Sequence, residues 1–460
     1  MSSTGARCMP SSSVSSFLFF QRTALAAAFT LLAVNTSLAQ TPPAPALPDP
    51  AATSVEALGW MQGFPPPPDK QITFDNPVGG VYPRIRWSFS HVRETVPTAN
   101  VWRGPGAASP LPAATPRFDI EAVRFQPMGG GEAQTFGQMI ARTYTDGILV
   151  LHRGQVVYEK YFGALTPERP HLAMSVTKSF VGTLAAILAQ EGTLDPSAPV
   201  TKYLPELKDT AYGDATVRQV MDMTIGVRYS ENYADPKAEV WDYARAGGML
   251  TQGANYAGPK SFYEFLATLK KEGTHGDAFA YKTVNAEVLA WIVRRASNRS
   301  LADLLSEKIW RRIGAEQDAY FMVDRIGTES GGGGLNTVLR DIARFGETLR
   351  NGGRAPNGQQ AIAKAVVDDI QRGADPAKFA KAGYALLPGW SYRNMWWVSH
   401  NPHGAYMARG IHGQSIYVDP KAEMVIVRYA AHPIAANAGN DPLTLPAFQA
   451  MGEALMKPEP

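Results

Sequence analysis

The chain has 460 residues, 45% hydrophobic and 18% charged, enough for one large α/β enzyme with insertions or for two to three domains. A formal net charge of +3 gives no reason to invoke nucleic acid or a charged membrane surface as partner. Cys8, the only cysteine, lies in a leader expected to be removed, which excludes a disulfide scaffold, a cysteine nucleophile and a thiolate metal site in the mature chain.

Residues 1–39 read as an export signal. Arg7 and Arg22 supply positive charge, residues 23–34 form a short apolar run, and Ser37-Leu38-Ala39 offers small residues for cleavage. The run is too short for a transmembrane span, so no stable membrane insertion is expected, and the periplasm or the medium is the expected destination. Residues 40–125 read as a Pro-rich tether followed by a wrapping extension without a core of its own, ordered in part through Trp60, Trp87 and Trp102.

Regular patterning begins near Gln134, where a short helix over 135–143 is expected. Residues 148–152 and 156–161, separated by Arg153-Gly154-Gln155, make a β-hairpin by apolar content and turn chemistry. From Ser175 to Gln190 almost every position that is not Ser, Thr or Lys is apolar, and Gly192 is a suitable helix stop. A helix apolar on all sides is normally buried, so Lys178 stands where an ammonium is costly to desolvate. Ser175 is one turn away, and a hydroxyl beside an amine pushed towards neutrality is one route to a serine nucleophile. One or two Ser-x-x-Lys are expected by chance in such a length (roughly, from average composition), and a cap at Ser175 with Lys178 reaching out to solvent fits the same spacing.

Further helices are expected over 217–223, 261–270, 285–296, 301–312 and 337–351. Strands are expected at 396–398, 415–418 and 424–429, with a closing helix over 443–456. Strands thus flank a mainly helical stretch of about 195–385. The economical arrangement is an antiparallel sheet built from both ends of a catalytic region at 126–460, flanked by helices, with a helical lobe inserted. The cleft between the two lobes is the natural place for a site.

In this order the runs 174–180, 212–226, 231–236, 332–346 and 410–420 resemble the serine β-lactamase and penicillin-binding-protein superfamily, for which Ser-x-x-Lys is a signature. The likeness spans roughly Trp60 to the C-terminus. It is strongest to class C β-lactamases, their esterase relatives and, above all, the 6-aminohexanoate-dimer (nylon-oligomer) hydrolases. The resemblance implies a two-lobe α/β (α+β) fold with Ser175 as nucleophile and Lys178 as its proton acceptor. Tyr281, in Tyr281-Lys282-Thr283, takes the place of the family's Tyr-x-Asn or Tyr-x-Ser. A phenol beside a cationic or hydrogen-bonding lysine is expected to lose its proton more easily and to serve as base and acid. A merely packed tyrosine fits the same residues.

Ala408-Arg409-Gly410-Ile411-His412-Gly413 stands where class C enzymes carry Lys-Thr-Gly. The resemblance places Gly410 at the motif glycine and the N–H of Ile411 in an oxyanion hole with that of Ser175, a donor worth about 3–4 kcal/mol to the transition state. The absent motif lysine argues against penicillins. Tyr233 matches a loop tyrosine that bonds the scissile amide nitrogen in nylon-oligomer hydrolases, and Trp397 a cleft-lining tryptophan. An exposed loop residue and a core residue are the plain alternatives.

His412 is expected on a strand near the cleft, as a possible substrate contact. His400-x-x-His403 lacks a third ligand, so no metal is expected, and no organic cofactor is implied. No Gly-x-Ser-x-Gly elbow exists, and residues 331–334 read as a flexible loop. The expected function is an exported serine hydrolase that cleaves a small-molecule amide or ester through an acyl-enzyme. A β-lactamase or D,D-peptidase, or a sensor that acylates without turnover, are the alternatives. Substrate and oligomeric state stay open.

Overall fold

The computed structural model describes residues 47–73, 80–253 and 255–457, and the expected export signal lies outside them. From Leu47 onward the chain forms one unit. Its centre is a seven-stranded antiparallel sheet in the order Gln155–Tyr161, Thr145–His152, Met424–Ala430, Gln414–Asp419, Tyr406–Gly410, Trp396–Val398, Ser391–Arg393. The two ends of the catalytic region meet in the middle, where His152 pairs with Met424. Both terminal hairpins use two-residue turns with positive φ, Arg153-Gly154 and Asn394-Met395, whose backbone twist matches that of paired strands.

Helices cover both faces. On the Gln414–Asp419 strand, Ile416 faces Gly346 of the Leu339–Arg350 helix, while its neighbour Tyr417 meets Phe448 of the Asp441–Met456 helix with ring centroids 5.5 Å apart. Adjacent strand residues point to opposite faces, so these helices sandwich the sheet. The Val176–Gln190 helix is buried from Val176 to Leu188. It docks so closely on the Asn394-Met395 turn that a Cβ on Gly182 would lie 2.1 Å from the carbonyl of Asn394. Ser179 Oγ donates to the carbonyl of Met395 at 2.7 Å and fixes this contact.

A second, four-stranded sheet runs Thr98–Val101, Ala319–Met322, Leu335–Thr337, His171–Leu172. It recruits the N-terminal extension, since Thr98 pairs with Met322. Arg86 is anchored by the carbonyl of Pro50 and lies 3.8 Å from Asp146. Trp87 is buried with Val55 and Ile72, with Trp60 packed against them, whereas Trp102 is 50% exposed and holds the chain through its carbonyl, which accepts from Ser306 Oγ at 2.5 Å.

Several boundaries differ from the sequence reading. Thr337 ends a strand, and the helix starts at Leu339, because Thr337 is needed to pair with His171. The helix expected over 261–270 is only Phe262–Leu266, and that over 301–312 becomes Leu301–Leu305 followed by a π turn, Ser306–Trp310. His412 is in a tight turn after the strand, not on it, with φ +63. Residues 331–334 lead into the Leu335–Thr337 strand as a turn packed into the protein. Gly331, Gly332 and Gly334 are buried, and a Cβ on Gly332 would lie 2.5 Å from Thr283 Cγ2.

Candidate active site

The chain enters the Val176–Gln190 helix through a sharp turn. Met174 holds φ +48, a left-handed conformation costing a non-glycine residue about 1–2 kcal/mol, and such strain clusters at functional sites. The turn leaves Ser175 at the head of the helix without capping it, since its side chain accepts no bond from the first turn. Lys178 does not reach solvent either. It is 1% exposed, and its Nζ lies 2.7 Å from Ser175 Oγ and bonds the carbonyl of Gly332. Burial lowers the Lys178 ammonium to about 8, with Glu231 and Glu287 opposing that fall. In the neutral amine the 2.7 Å contact can run from the Ser175 hydroxyl to the nitrogen lone pair, which is the geometry of a general base on a nucleophile.

Gly332 is held where Lys178 needs it by Glu287. This carboxylate accepts the N–H groups of Gly331 and Gly332 and the hydroxyl of Ser330, each at 2.9 Å, and that of Tyr243 at 2.7 Å. Burial raises its pKa, and these bonds oppose the rise without cancelling it. A lone carboxylate amid Val284, Ala286, Val288 and Leu289 was the signal in the sequence that something must be paired there.

Tyr281 lies across the pair, its ring centroid 5.2 Å from Lys178 Nζ. Contrary to the expectation of an easily ionised phenol, its pKa is pushed well above 10. Burial is the main cause and the Glu231 carboxylate adds to it, outweighing a hydrogen bond with the Ser175 side chain. Tyr281 is therefore a protonated phenol at ordinary pH. Thr283 turns its hydroxyl and its N–H onto Glu231, with Oγ1 2.6 Å from Oε1. Glu231 thus caps the N-terminus of the Thr283–Ser297 helix, where a negative charge is favoured. Tyr233 donates to the same carboxylate at 3.0 Å, so this loop tyrosine faces inward. Glu231 and Glu287 were not singled out from sequence, although Glu231 stands two residues before Tyr233.

On the opposite wall, Gly410 ends its strand against the turn before Ser175. A Cβ there would lie 2.8 Å from the carbonyl of Ala173 and 3.1 Å from Met174 Cβ. Among the described residues the N–H groups of Ser175 and Ile411 donate to no backbone acceptor. The next N–H, of His412, is taken by Ala435 at 2.9 Å. His412 Nδ1 is tied to the carbonyl of His432 at 2.7 Å, and burial lowers its pKa.

Trp397 is buried and stacks obliquely near Tyr281, with centroids 5.3 Å apart. Arg409 also lies over the ring, 4.9 Å from its centroid, and is bonded to Asp441 at 2.7 Å. Two cavities, of about 510 and 440 Å³, meet at Ser175, Ile411, Glu231 and Tyr233. The first also takes in His412 and Gly332, the second Tyr281, Trp397 and Arg409. The structure therefore brings Ser175, Lys178, Tyr281, Tyr233, Ile411, Trp397 and His412 to one place.

His400 bonds Ser391 Oγ and His403 bonds Asp419, each at 2.7 Å. No group of three His, Cys, Asp or Glu suited to a metal occurs among the described residues, and no described helix is long and apolar enough to cross a membrane.

Residues 133–444 match the β-lactamase family. The chain is 36% identical over 352 residues to the 6-aminohexanoate-dimer hydrolase of Paenarthrobacter ureafaciens, an alignment covering 76% of this chain and 86% of that protein. A Bacillus anthracis structure named provisionally as a 6-aminohexanoate-dimer hydrolase superposes with a TM-score of 0.74 at 33% identity, covering 82% of this chain and 96% of the other. A hydrolase with promiscuous acyltransferase activity shares the fold at a TM-score of 0.53 and 15% identity, covering 70% of this chain and 98% of its own. The chain belongs to the β-lactamase family and is a serine hydrolase on that family's fold.

Proposed function

We propose that the protein is exported and cleaves a small-molecule amide or ester through an acyl-enzyme on Ser175. The observation that carries this reading is the 2.7 Å contact between Ser175 Oγ and a fully buried Lys178 whose ammonium is lowered to about 8. Neutral Lys178 takes the hydroxyl proton as Ser175 Oγ attacks the carbonyl carbon. The unengaged N–H groups of Ser175 and Ile411 receive the negative charge that develops on the carbonyl oxygen. Tyr281, kept protonated by burial, hands its phenolic proton to the departing nitrogen or oxygen and is refilled from Lys178. Tyr233 lines the same cavity and, on turning its hydroxyl from Glu231, holds the leaving atom. Water then enters, loses a proton to the same pair, and releases the acid and free Ser175.

Amides enter the reading through the 36% identity to an enzyme named for an amide dimer. Esters need less leaving-group protonation and are the sensitive probe. Ser175→Ala should abolish hydrolysis of a p-nitrophenyl acyl ester while the melting temperature holds, and retained turnover would refute the acyl-enzyme. The mass of protein recovered from outside the producing cell should correspond to a start near residue 40. Full-length protein retained in the cytoplasm would count against export.

A further inference from the structure

The two cavities meeting at Ser175 differ in chemistry, and the position of the proton donor assigns their roles. Tyr281 lines only the 440 Å³ cavity, beside Trp397, Arg409, Asn437 and Asp441. An amine or alcohol leaving group takes its proton from Tyr281 and so departs into that space beside Arg409 and Asp441, and a p-nitrophenolate follows the same exit because the oxyanion hole at Ser175 and Ile411 fixes the carbonyl in the same orientation. The acyl group is left with the 510 Å³ cavity on the other side of Ser175.

The acyl cavity is walled by Ile85, Phe89, Leu172, Met249, Met322 and Ile434. Ile85 and Phe89 come from the N-terminal extension, which lies ahead of the family match at 133–444 but is reached by the overlap with the Bacillus anthracis structure. They are packed there with Leu172 and Met322 as a small apolar core. Glu231 is the only carboxylate among the described lining residues. It is held at the reacting centre by Thr283 and Tyr233, at 2.6 and 3.0 Å. A charge carried several carbons from the scissile carbonyl would find no counter-ion in the apolar wall and would lose its water. Neutral methylenes there would each gain the ordinary burial free energy.

Resting on the acyl-enzyme reading, we infer that the preferred substrate carries a neutral, apolar acyl group of six or more carbons, selected by the wall that residues 81–89 add to the site, and not an acyl chain ending in an ammonium. The relatives' 6-aminohexanoyl group has the right length and the wrong end for this cavity.

The test uses the mature full-length enzyme and p-nitrophenyl esters of acetate, butyrate, hexanoate, octanoate and 6-aminohexanoate, with kcat/KM measured at pH 7 and corrected for spontaneous loss. The expected rise is about threefold or more per methylene up to hexanoate, with 6-aminohexanoate at least about tenfold below hexanoate. Val81 and Ile434 line the cavity at its rim, 74% and 46% exposed, so Val81→Glu and Ile434→Glu can place a carboxylate there without disturbing the core. Both should lower the hexanoate-to-acetate ratio and raise the 6-aminohexanoate-to-hexanoate ratio by about tenfold, with the melting temperature reporting intact folding. Values of kcat/KM indifferent to chain length, or 6-aminohexanoate equal to hexanoate, would overturn the inference. If Ser175→Ala still silences every ester, the acyl-enzyme reading survives that failure, whereas esterase activity in Ser175→Ala sinks both.

Discussion

Lys178 is the group on whose protonation the proposed chemistry depends, and pH is the cleanest perturbation of it. With its ammonium lowered to about 8 by burial, the neutral amine makes up about 1% of the enzyme at pH 6 and about 90% at pH 9. If that amine is the base in acylation, kcat/KM for p-nitrophenyl hexanoate should climb about tenfold per pH unit below 8 and level off above it, a span of about a hundredfold. Tyr281, held well above 10, should produce no falling limb in the same range. Lys178→Arg cannot become neutral and should lose the climb together with nearly all of the rate. The fold should carry the complementary signature. Lys178 binds its proton less tightly when folded than when unfolded, so it costs stability below about pH 8 and the cost is relieved as pH rises from about 8 to 10.5. Lys178→Met should accordingly be more stable than the parent by about 3 kcal/mol near pH 7, with the gap closing by pH 10.5. A rate that is flat from pH 6 to 9, or an inflection that persists in Lys178→Arg, would refute the assignment of Lys178 as base.

Tyr281→Phe should lower kcat on an anilide by about a hundredfold to ten-thousandfold, and less on a p-nitrophenyl ester, whose leaving group needs no proton; equal losses on both would refute a donor role. Glu287→Gln confronts the N–H groups of Gly331 and Gly332 with a weaker acceptor and an added amide donor. It should cost about 2–4 kcal/mol in urea unfolding and reduce kcat through the displaced Gly332 carbonyl, and unchanged stability would remove Glu287 from the account. Gly182→Ala, whose Cβ would sit 2.1 Å from the Asn394 carbonyl, should lower stability by about 1–3 kcal/mol, read from the melting temperature; a neutral outcome would show that the helix can retreat from the sheet.

The Ser175 helix was legible because thirteen successive buried positions, Val176 to Leu188, admit little but apolar and small residues, so one lysine among them is conspicuous. The hairpin at Arg153-Gly154 and the strands at 396–398, 415–418 and 424–429 were legible for the same reason, periodicity plus turn chemistry. The Thr98–Val101 strand was not. It takes its pairing from Ala319–Met322, more than two hundred residues away, and its own four residues alternate only weakly in burial. Residues 331–334 have the composition of a loose turn. The N–H groups of Gly331 and Gly332 are held by Glu287 on another helix, which no local pattern reveals. The phenol of Tyr281 was misread for a similar reason. A nearby lysine could be inferred from sequence, but the Glu231 carboxylate and the depth of burial that reverse the shift are properties of the packed site.

The proposed chemistry passes through a covalent bond between substrate and Ser175. Rapid acid quench of the enzyme during turnover of p-nitrophenyl hexanoate, followed by intact-mass and peptide mapping, tests it most directly. One added hexanoyl group per chain is expected, confined to the peptide containing Ser175 and absent from Ser175→Ala. Turnover at the parent rate with the acyl group on another residue, or undiminished turnover in Ser175→Ala, would contradict it.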